Sequence, residues 1–243
     1  MEVHQHSHTA RKKWNHFLWE FFMLFLAVSL GFLVENLREH RIEHRREKAL
    51  MKALVLDLHA DILQIDSLTE KRISRNQHCD SLISLLANTD RKNGILEYYY
   101  GRNASRRIHF RPQDGTLLQL RNSGGFGVVH EERVLNSINS YELALKNNLE
   151  NIEVEEKELT EYTAIAAKVF DVKVFQEMTQ HNTVDRPTGD RVLLSYDKLL
   201  LNELAIKLHY WKRTSLSVLT SWESLRRNAE TLIELIKEEY HLE

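Results

Sequence analysis

A glutamate inside an apolar segment is the residue whose type and position most directly suggest chemistry. Glu20 is the only charged residue among the 18 residues from 17 to 34. A carboxyl group inside a membrane-spanning helix can carry a proton or pair with a cation on a neighbouring helix. Glu20 also lies about one turn inside the segment, where it can reach the headgroups or pair with Lys13 or His16. The structural interpretation is favoured, and an ion-coupled role stays open.

Three histidines near the N-terminus form a second candidate site. His4, His6 and His8 occupy alternate positions and offer imidazole donors, which divalent transition metals accept. No acid or cysteine completes the set, and chain termini are often poorly ordered. The favoured interpretation is therefore a disordered basic and histidine-containing tail at residues 1–13, and no cofactor is predicted.

No catalytic motif accompanies these residues. The sequence contains no hydrolase serine motif, no phosphate-binding glycine loop and no paired cysteine-histidine metal set. Lysine and arginine number 33 against 35 acidic residues, and such a balance gives no reason to expect nucleic acid as a partner. The one cysteine, Cys79, excludes an internal disulfide. The sequence predicts a protein that is not an enzyme.

The apolar segment around Glu20 is long enough to cross a lipid bilayer. As a helix, residues 14–34 reach about 30 Å, the thickness of the hydrocarbon core. Trp14 and Trp19 fit an aromatic belt at the interface, and residues 11–13 are basic. The run is long for a cleaved signal peptide, so a retained single span is favoured.

The orientation of this span is less clear, because basic residues flank it on both sides. Basic residues tend to stay in the cytoplasm, but long domains cross a membrane largely regardless of their charge. A short basic tail resists translocation more strongly. The favoured orientation therefore leaves the tail in the cytoplasm and the C-terminal domain outside it.

Charged residues directly after the span fall into two stripes on one helix. At about 100° per residue, the acidic and basic sets lie on roughly opposite sides. Parallel copies tethered side by side can bring the acidic stripe of one helix against the basic stripe of the next. A solvated helix explains the same pattern, so assembly stays a hypothesis. The acidic stripe is Glu35, Glu39, Glu43 and Glu47, and the basic stripe is Arg38, Arg41, Arg45 and Lys48.

Long helices must position these residues. Only two prolines and eight glycines occur in 243 residues, and apolar residues recur at spacings of three and four. This pattern predicts long helices at about 35–87, 131–181 and 190–241, with an irregular connector at 88–130 and Asp190 as the cap of the last helix. The expected fold class is all-α: an N-terminal transmembrane helix that continues into an elongated antiparallel helical bundle or stalk, residues 35–243.

The connector is expected to contain one short helix. Thr116 and Gln119 form a capping box at its start, and Ser123, Gly124 and Gly125 form the turn that ends it. Gly124 is predicted to take the left-handed conformation that commonly closes a helix.

Two stretches resemble a family of uncharacterised bacterial single-span membrane proteins. Glu20, followed fifteen positions later by Glu35-Asn36-Leu37, is similar to the family's intramembrane glutamate and its NNWNE-like juxtamembrane run. The stretch FRPQDGTLLQLRNSGGFGVV, residues 110–129, is similar to its Leu-x-x-Ser-Gly turn in a helical domain. Trp19 and Leu37 depart from the family's usual glycine and tryptophan. The resemblance implies a bacterial inner (cytoplasmic) membrane protein, hence a periplasmic domain in the favoured orientation, and it implies no activity.

The first functional hypothesis is a membrane-anchored structural or interaction protein that assembles with itself or joins a membrane complex. Its expected partners are the lipid bilayer and either further copies or other membrane proteins. A ligand-sensing bundle is one alternative, with a pocket between helices near Trp211 and residues 98–110. An ion-coupled membrane subunit that uses Glu20 is the other.

Overall fold

The computed structural model describes residues 10–88, 93–122, 129–179 and 183–242. Helices are the only regular secondary structure within those ranges, which confirms the predicted all-α fold class. The histidines His4, His6 and His8 and the predicted turn at residues 123–125 lie outside the described residues.

Six helices follow one another along the described chain. They are α1 (Ala10–Leu86), α2 (Ile95–Ala104), α3 (Gly115–Asn122), α4 (Glu132–Val169), α5 (Val172–Met178) and α6 (Lys198–Tyr240). The chain divides into two compact units, Met1–Leu50 and Met51–Glu243.

The first unit contains the apolar segment. Within the described residues, one helix is long and apolar enough to cross a membrane, and none of the residues in its apolar window is buried. Large apolar side chains such as Trp19 and Phe32 are 68% and 72% exposed. Water is an unfavourable environment for such a continuous apolar surface. The segment is therefore a candidate membrane span.

The second unit is built around three helices: α1 from Met51 onward, α4 and α6. Side-chain bonds near both ends of each helix pair define their directions, because they show which residues face one another. Helix α6 runs antiparallel to both other helices, and α1 and α4 run parallel. The bonds are Asp66–Arg226, Asp80–Lys212, Arg133–Glu239, Glu161–Lys207, Asp61–Tyr141 and Arg75–Glu155.

Helix α6 supplies the most regular side of this core. The apolar pattern predicts a seam of eleven positions on this helix, and all of them are buried, including Ser215, the one polar residue among them. The seam is Leu201, Leu204, Leu208, Trp211, Ser215, Val218, Trp222, Leu225, Ala229, Leu232 and Ile236. In contrast, only Ile138, Leu159, Ala166 and Phe170 are buried among the eleven seam positions that the apolar pattern predicts for the helix at 131–181. Those positions are Leu135, Ile138, Glu142, Leu145, Leu149, Ile152, Glu156, Leu159, Thr163, Ala166 and Phe170. Leu149 of that seam is 56% exposed, whereas Tyr141 and Glu155 beside it are buried. The core face of α4 carries polar groups because it packs against polar groups on α1, which are described below.

The connector predicted at 88–130 is more helical than expected, because it contains α2 as well as α3. Gly101 lies inside α2 and allows a close contact with Phe170. A Cβ atom at position 101 would lie 2.8 Å from Cζ of the Phe170 ring. Tyr98 packs against the same ring, with 5.3 Å between ring centroids. The glycine and the tyrosines of this stretch therefore serve helix packing and not a loop.

The helix predicted at 131–181 is interrupted. Phe170 has extended backbone angles, φ −107° and ψ 136°, and separates α4 from α5. The side chain of Asp171 then caps α5 by accepting a hydrogen bond from the Lys173 amide at 2.9 Å. The chain turns here because the Phe170 ring is buried against α2.

The last helix begins later than predicted. Its cap is Asp197, whose side chain accepts a hydrogen bond from the Leu200 amide at 2.8 Å, so Asp190 is not the cap. The residues before Asp197 do not continue the helix, because their backbone forms hydrogen bonds outside it. The Leu194 amide donates to the Val169 carbonyl at 2.9 Å.

Candidate functional site

The apolar seams of the three bundle helices are interrupted at the same level. Helix α1 contributes Arg72, Arg75 and Asn76, α4 contributes Glu155, and α6 contributes Ser215. All five side chains are buried, and we call them the polar core layer. Burial of charged groups is costly unless they are paired and hydrogen-bonded. The bonds within this layer therefore determine how well the bundle holds together.

One carboxylate serves both arginines of the polar core layer. Nη1 of Arg72 and Nη2 of Arg75 both donate to Oε1 of Glu155, the second at 2.6 Å. Ser215 Oγ accepts from Arg75 at 2.6 Å and from Arg72 at 3.3 Å. The same hydroxyl donates to Oδ1 of Asn76 at 2.8 Å. The layer thus connects all three helices through a single network.

Two tryptophans of α6 lie against the guanidinium groups. The Arg72 guanidinium carbon is 4.6 Å from the centre of the Trp222 ring, and that of Arg75 is 4.5 Å from the Trp211 ring. Both tryptophans are fully buried. A cation over an aromatic face is stabilised by the ring's electrostatic field, more strongly where water is excluded. The tryptophans therefore pack as core residues and also face the two charges.

An extended segment, residues 106–114, covers the outer side of this region, and we call it the strap. It runs antiparallel to α1, and side chains of α1 bond its backbone along the way. An extended segment without a neighbouring strand needs such partners for its backbone groups. The α1 residues and their strap partners are Arg75 with Arg106, Arg72 with Ile108, Gln64 with Arg111 and Asp61 with Gln113. Beyond the strap, Asp57 accepts from the Thr116 amide in the first turn of α3.

Asp61 also joins the strap to α4. Its carboxylate accepts from the Gln113 amide at 2.8 Å and from the Tyr141 hydroxyl at 2.6 Å. Burial raises the pKa of Asp61, and these two hydrogen bonds oppose that shift. The bonds from Asp61 thus partly offset the cost of placing a carboxylate inside the bundle.

The polar core layer carries an unbalanced positive charge. Burial lowers the pKa of Arg72 to about 10, while Glu155 opposes this shift and neighbouring Arg75 reinforces it. Arg72 nevertheless stays protonated at neutral pH, because a pKa of about 10 lies well above 7. Two guanidinium charges therefore share the one carboxylate of Glu155.

An open groove of about 620 Å³ lies between α1 and the strap, beside Arg75. Its lining carries four permanently basic side chains and one acidic side chain. Two histidines also line it, and burial lowers the pKa of one of them, His78, with Arg106 adding to the effect. The charged and titratable lining residues are Glu70, Lys71, Arg75, His78, Arg106, Arg107 and His109.

The structure places Glu20 beside His16, with 3.6 Å between the carboxylate and Nδ1 of the imidazole. Both side chains lie on the same helix, one turn apart, and both are exposed. This is the pairing that the structural interpretation of Glu20 expected.

The two charged stripes are only partly available for contacts with another chain. Glu35 pairs with Arg38 of the same helix, with 2.5 Å between the charged atoms. Glu47 is 2% exposed and lies 3.6 Å from His44. Burial removes Glu47 from the open acidic stripe, and Lys48 is half-buried. The stripe residues that stay exposed and form no ion pair within the described parts of the chain are Glu39, Glu43, Arg41 and Arg45.

Sequence reasoning missed the polar core layer, although the sequence carries a signal for it. Apolar residues on the core face of α1 stop at Leu68 and resume at Cys79, and Ser215 interrupts the seam of α6. These interruptions belong together only once the helix pairing is known. Among the described residues, no group of three or more histidine, cysteine, aspartate or glutamate side chains could hold a metal ion.

Compared with known protein families, curated proteins and solved structures, the chain shows no match. The family resemblance seen in the sequence therefore stays a prediction.

Proposed function

We propose that this protein is a membrane-anchored interaction protein of a bacterial inner membrane, with one span and a helical bundle in the periplasm. The carrying observation is the apolar window near the start of α1, which has no buried residue. A bilayer would cover this surface and leave the chain's backbone polar groups satisfied within the helix. The second unit has its own core and can present a folded surface to a partner.

Labelling of an introduced cysteine tests the anchor and the orientation. Ser217 is exposed on α6, whereas Ser215 is buried and unsuitable for labelling. We expect a Ser217→Cys variant in intact spheroplasts to react with a membrane-impermeant maleimide and to stay in the membrane pellet after carbonate extraction. The wild type is the matched control: its Cys79 is fully buried, and burial raises the pKa of its thiol to about 12, so it should not react.

Either of two results would count against this proposal. Release of the protein into the carbonate supernatant would remove the anchor. Protection of the introduced thiol until the cells are lysed would reverse the orientation and leave the anchor in place.

Contacts between copies, or with another membrane protein, are the proposed role of the exposed stripe residues. Glu39 and Glu43 face away from Arg41 and Arg45 on the same helix, so a neighbouring helix can pair with either side. We expect Glu39→Lys with Glu43→Lys to dissociate an oligomer in mild detergent at low salt, because like charges then meet. Adding Arg41→Glu and Arg45→Glu should restore it. A monomeric wild type, or no restoration, would rule out assembly through these stripes.

A ligand-sensing bundle is the second candidate function, and the groove beside Arg75 favours it. Arg75 packs on Trp211, and Asn103 and residues 106–109 line the same groove. Binding of a small molecule there would involve both the polar core layer and the strap.

A further inference from the structure

We propose that the groove between α1 and the strap binds a small ligand through its phosphate group, with Lys71, Arg75 and Arg106 as the cationic contacts. This inference deepens the second candidate function. It is independent of the anchor, because phosphate binding can fail while the protein stays in the membrane.

The first support is the charge of the polar core layer. Arg75 is 3% exposed, and it shares Glu155 with Arg72. It also lines the groove, and its Nε atom is buried without a hydrogen-bond partner. A buried charge without a full counter-charge is unfavourable. An anion in the groove would compensate Arg75 from the side that Glu155 does not occupy.

The second support is the set of basic side chains around the opening. Lys71 and Arg106 are exposed, and the structure gives neither an ion pair within the described parts of the chain. Arg107 lines the groove too, but it already bonds Glu156 at 2.9 Å. The one acidic lining residue, Glu70, leaves the lining with an excess of positive charge.

The third support is the match between these donors and a phosphate group. A phosphate monoester carries nearly two negative charges at neutral pH, more than a carboxylate. Arginine presents paired N–H donors that fit phosphate oxygens, and lysine adds a compact charge. The groove has the volume of a small-molecule site. The phosphate monoester can belong to a soluble compound or to a lipid headgroup such as that of phosphatidic acid, and the experiment distinguishes the two.

His78 provides a reporter inside the groove. Its ring contacts Tyr99 and Tyr100, at 5.8 and 5.5 Å between centroids, and Arg106 adds positive charge nearby. Burial and Arg106 both lower the pKa of this imidazole. A bound phosphate should raise the pKa of His78, because a nearby negative charge favours the protonated ring.

Titration of the full chain with inorganic phosphate tests the proposal. The protein is held in phosphatidylcholine nanodiscs at low salt, and binding is followed by calorimetry and by the NMR signal of His78. We expect millimolar or tighter binding and a rise in the pKa of His78. Lys71→Gln and Arg106→Gln should each weaken binding about tenfold, since each removes a charge-assisted contact. Both side chains are exposed, so the fold should be kept.

The matched controls are Lys52→Gln and Arg213→Gln, exposed residues of the same types that do not line the groove. They should bind phosphate as the wild type does. Equal weakening in the controls would show a general charge effect and overturn the site. In nanodiscs that also contain phosphatidic acid, whose headgroup is a phosphate monoester, loss of phosphate binding would identify the headgroup as the competing source of the same anion, and unchanged binding would favour a soluble ester. Absence of both phosphate binding and any His78 response would overturn the proposal.

Discussion

Replacing Glu155 with glutamine is expected to lower the free energy of unfolding by about 3–5 kcal/mol, the usual effect of breaking a buried ion pair. Glu155 is buried and accepts from both Arg72 and Arg75. Glutamine keeps the size of the side chain and one acceptor oxygen but removes its charge. Two adjacent guanidinium groups would then remain inside the bundle with no carboxylate between them.

Denaturant unfolding of the full chain in detergent, followed by tryptophan fluorescence, measures this change. The control is Glu153→Gln on the same helix, because Glu153 is exposed and forms no ion pair among the described residues. Such a surface change should stay within about 0.5 kcal/mol of the wild type. A Glu155→Gln variant as stable as this control would show that the shared carboxylate is not needed.

Replacing Trp222 with alanine is expected to lower the free energy of unfolding by about 3–5 kcal/mol. The indole is fully buried, so its loss leaves a large cavity next to Arg72. The guanidinium also loses the aromatic face on which it lies, which adds a smaller cost. A Trp222→Phe variant should lose less stability than Trp222→Ala, because phenylalanine keeps an aromatic ring near Arg72.

The control for this prediction is Tyr210→Ala on the same helix, where the tyrosine is 56% exposed. Its removal should change stability little, and thermal unfolding by circular dichroism compares all three variants. A small loss for Trp222→Ala, close to that of Tyr210→Ala, would mean that the tryptophan is not packed in the core as described.

Helix α6 was predictable from the sequence because its seam is almost wholly apolar. Its eleven predicted seam positions are all buried. For helix α4 the predicted seam was right at Ile138 and Leu159 but wrong between them, because Tyr141 and Glu155 face the core while Leu149 is exposed. Apolar periodicity identifies a core face only where the core itself is apolar. Where α4 packs against polar groups of α1, the apolar pattern of α4 points to the wrong face of the helix.

Boundaries were harder to predict where tertiary contacts decide them. Phe170 interrupts a helical pattern without a proline or glycine, because its ring packs beside Gly101 of α2. Likewise, residues 98–100 lie in the stretch predicted as an irregular connector, but they belong to α2, which packs on that ring. Both features depend on residues about seventy positions apart, which local sequence patterns do not connect.

The sequence suggested where a ligand pocket could lie, but not which side chains would line it. A pocket near Trp211 and residues 98–110 was the requirement of the ligand-sensing alternative, and the structure contains an open groove there. The place of Arg75 in its lining was not foreseen, because Arg75 belongs to a charged stretch of α1 that also fits a solvated helix face. The helix pairing alone shows that Arg75 is buried.

The most direct test of the account is a double-mutant cycle between Arg72 and Glu155. The buried charges of Arg72 on α1 and Glu155 on α4 act as one unit with Arg75 and Ser215. The free energy of unfolding is measured for the wild type, Arg72→Met, Glu155→Gln and the double variant. If the two residues act together, the destabilisation of the double variant is smaller than the sum of the two single destabilisations. We predict a difference of at least about 2 kcal/mol. Additive losses, within about 0.5 kcal/mol, would contradict the account.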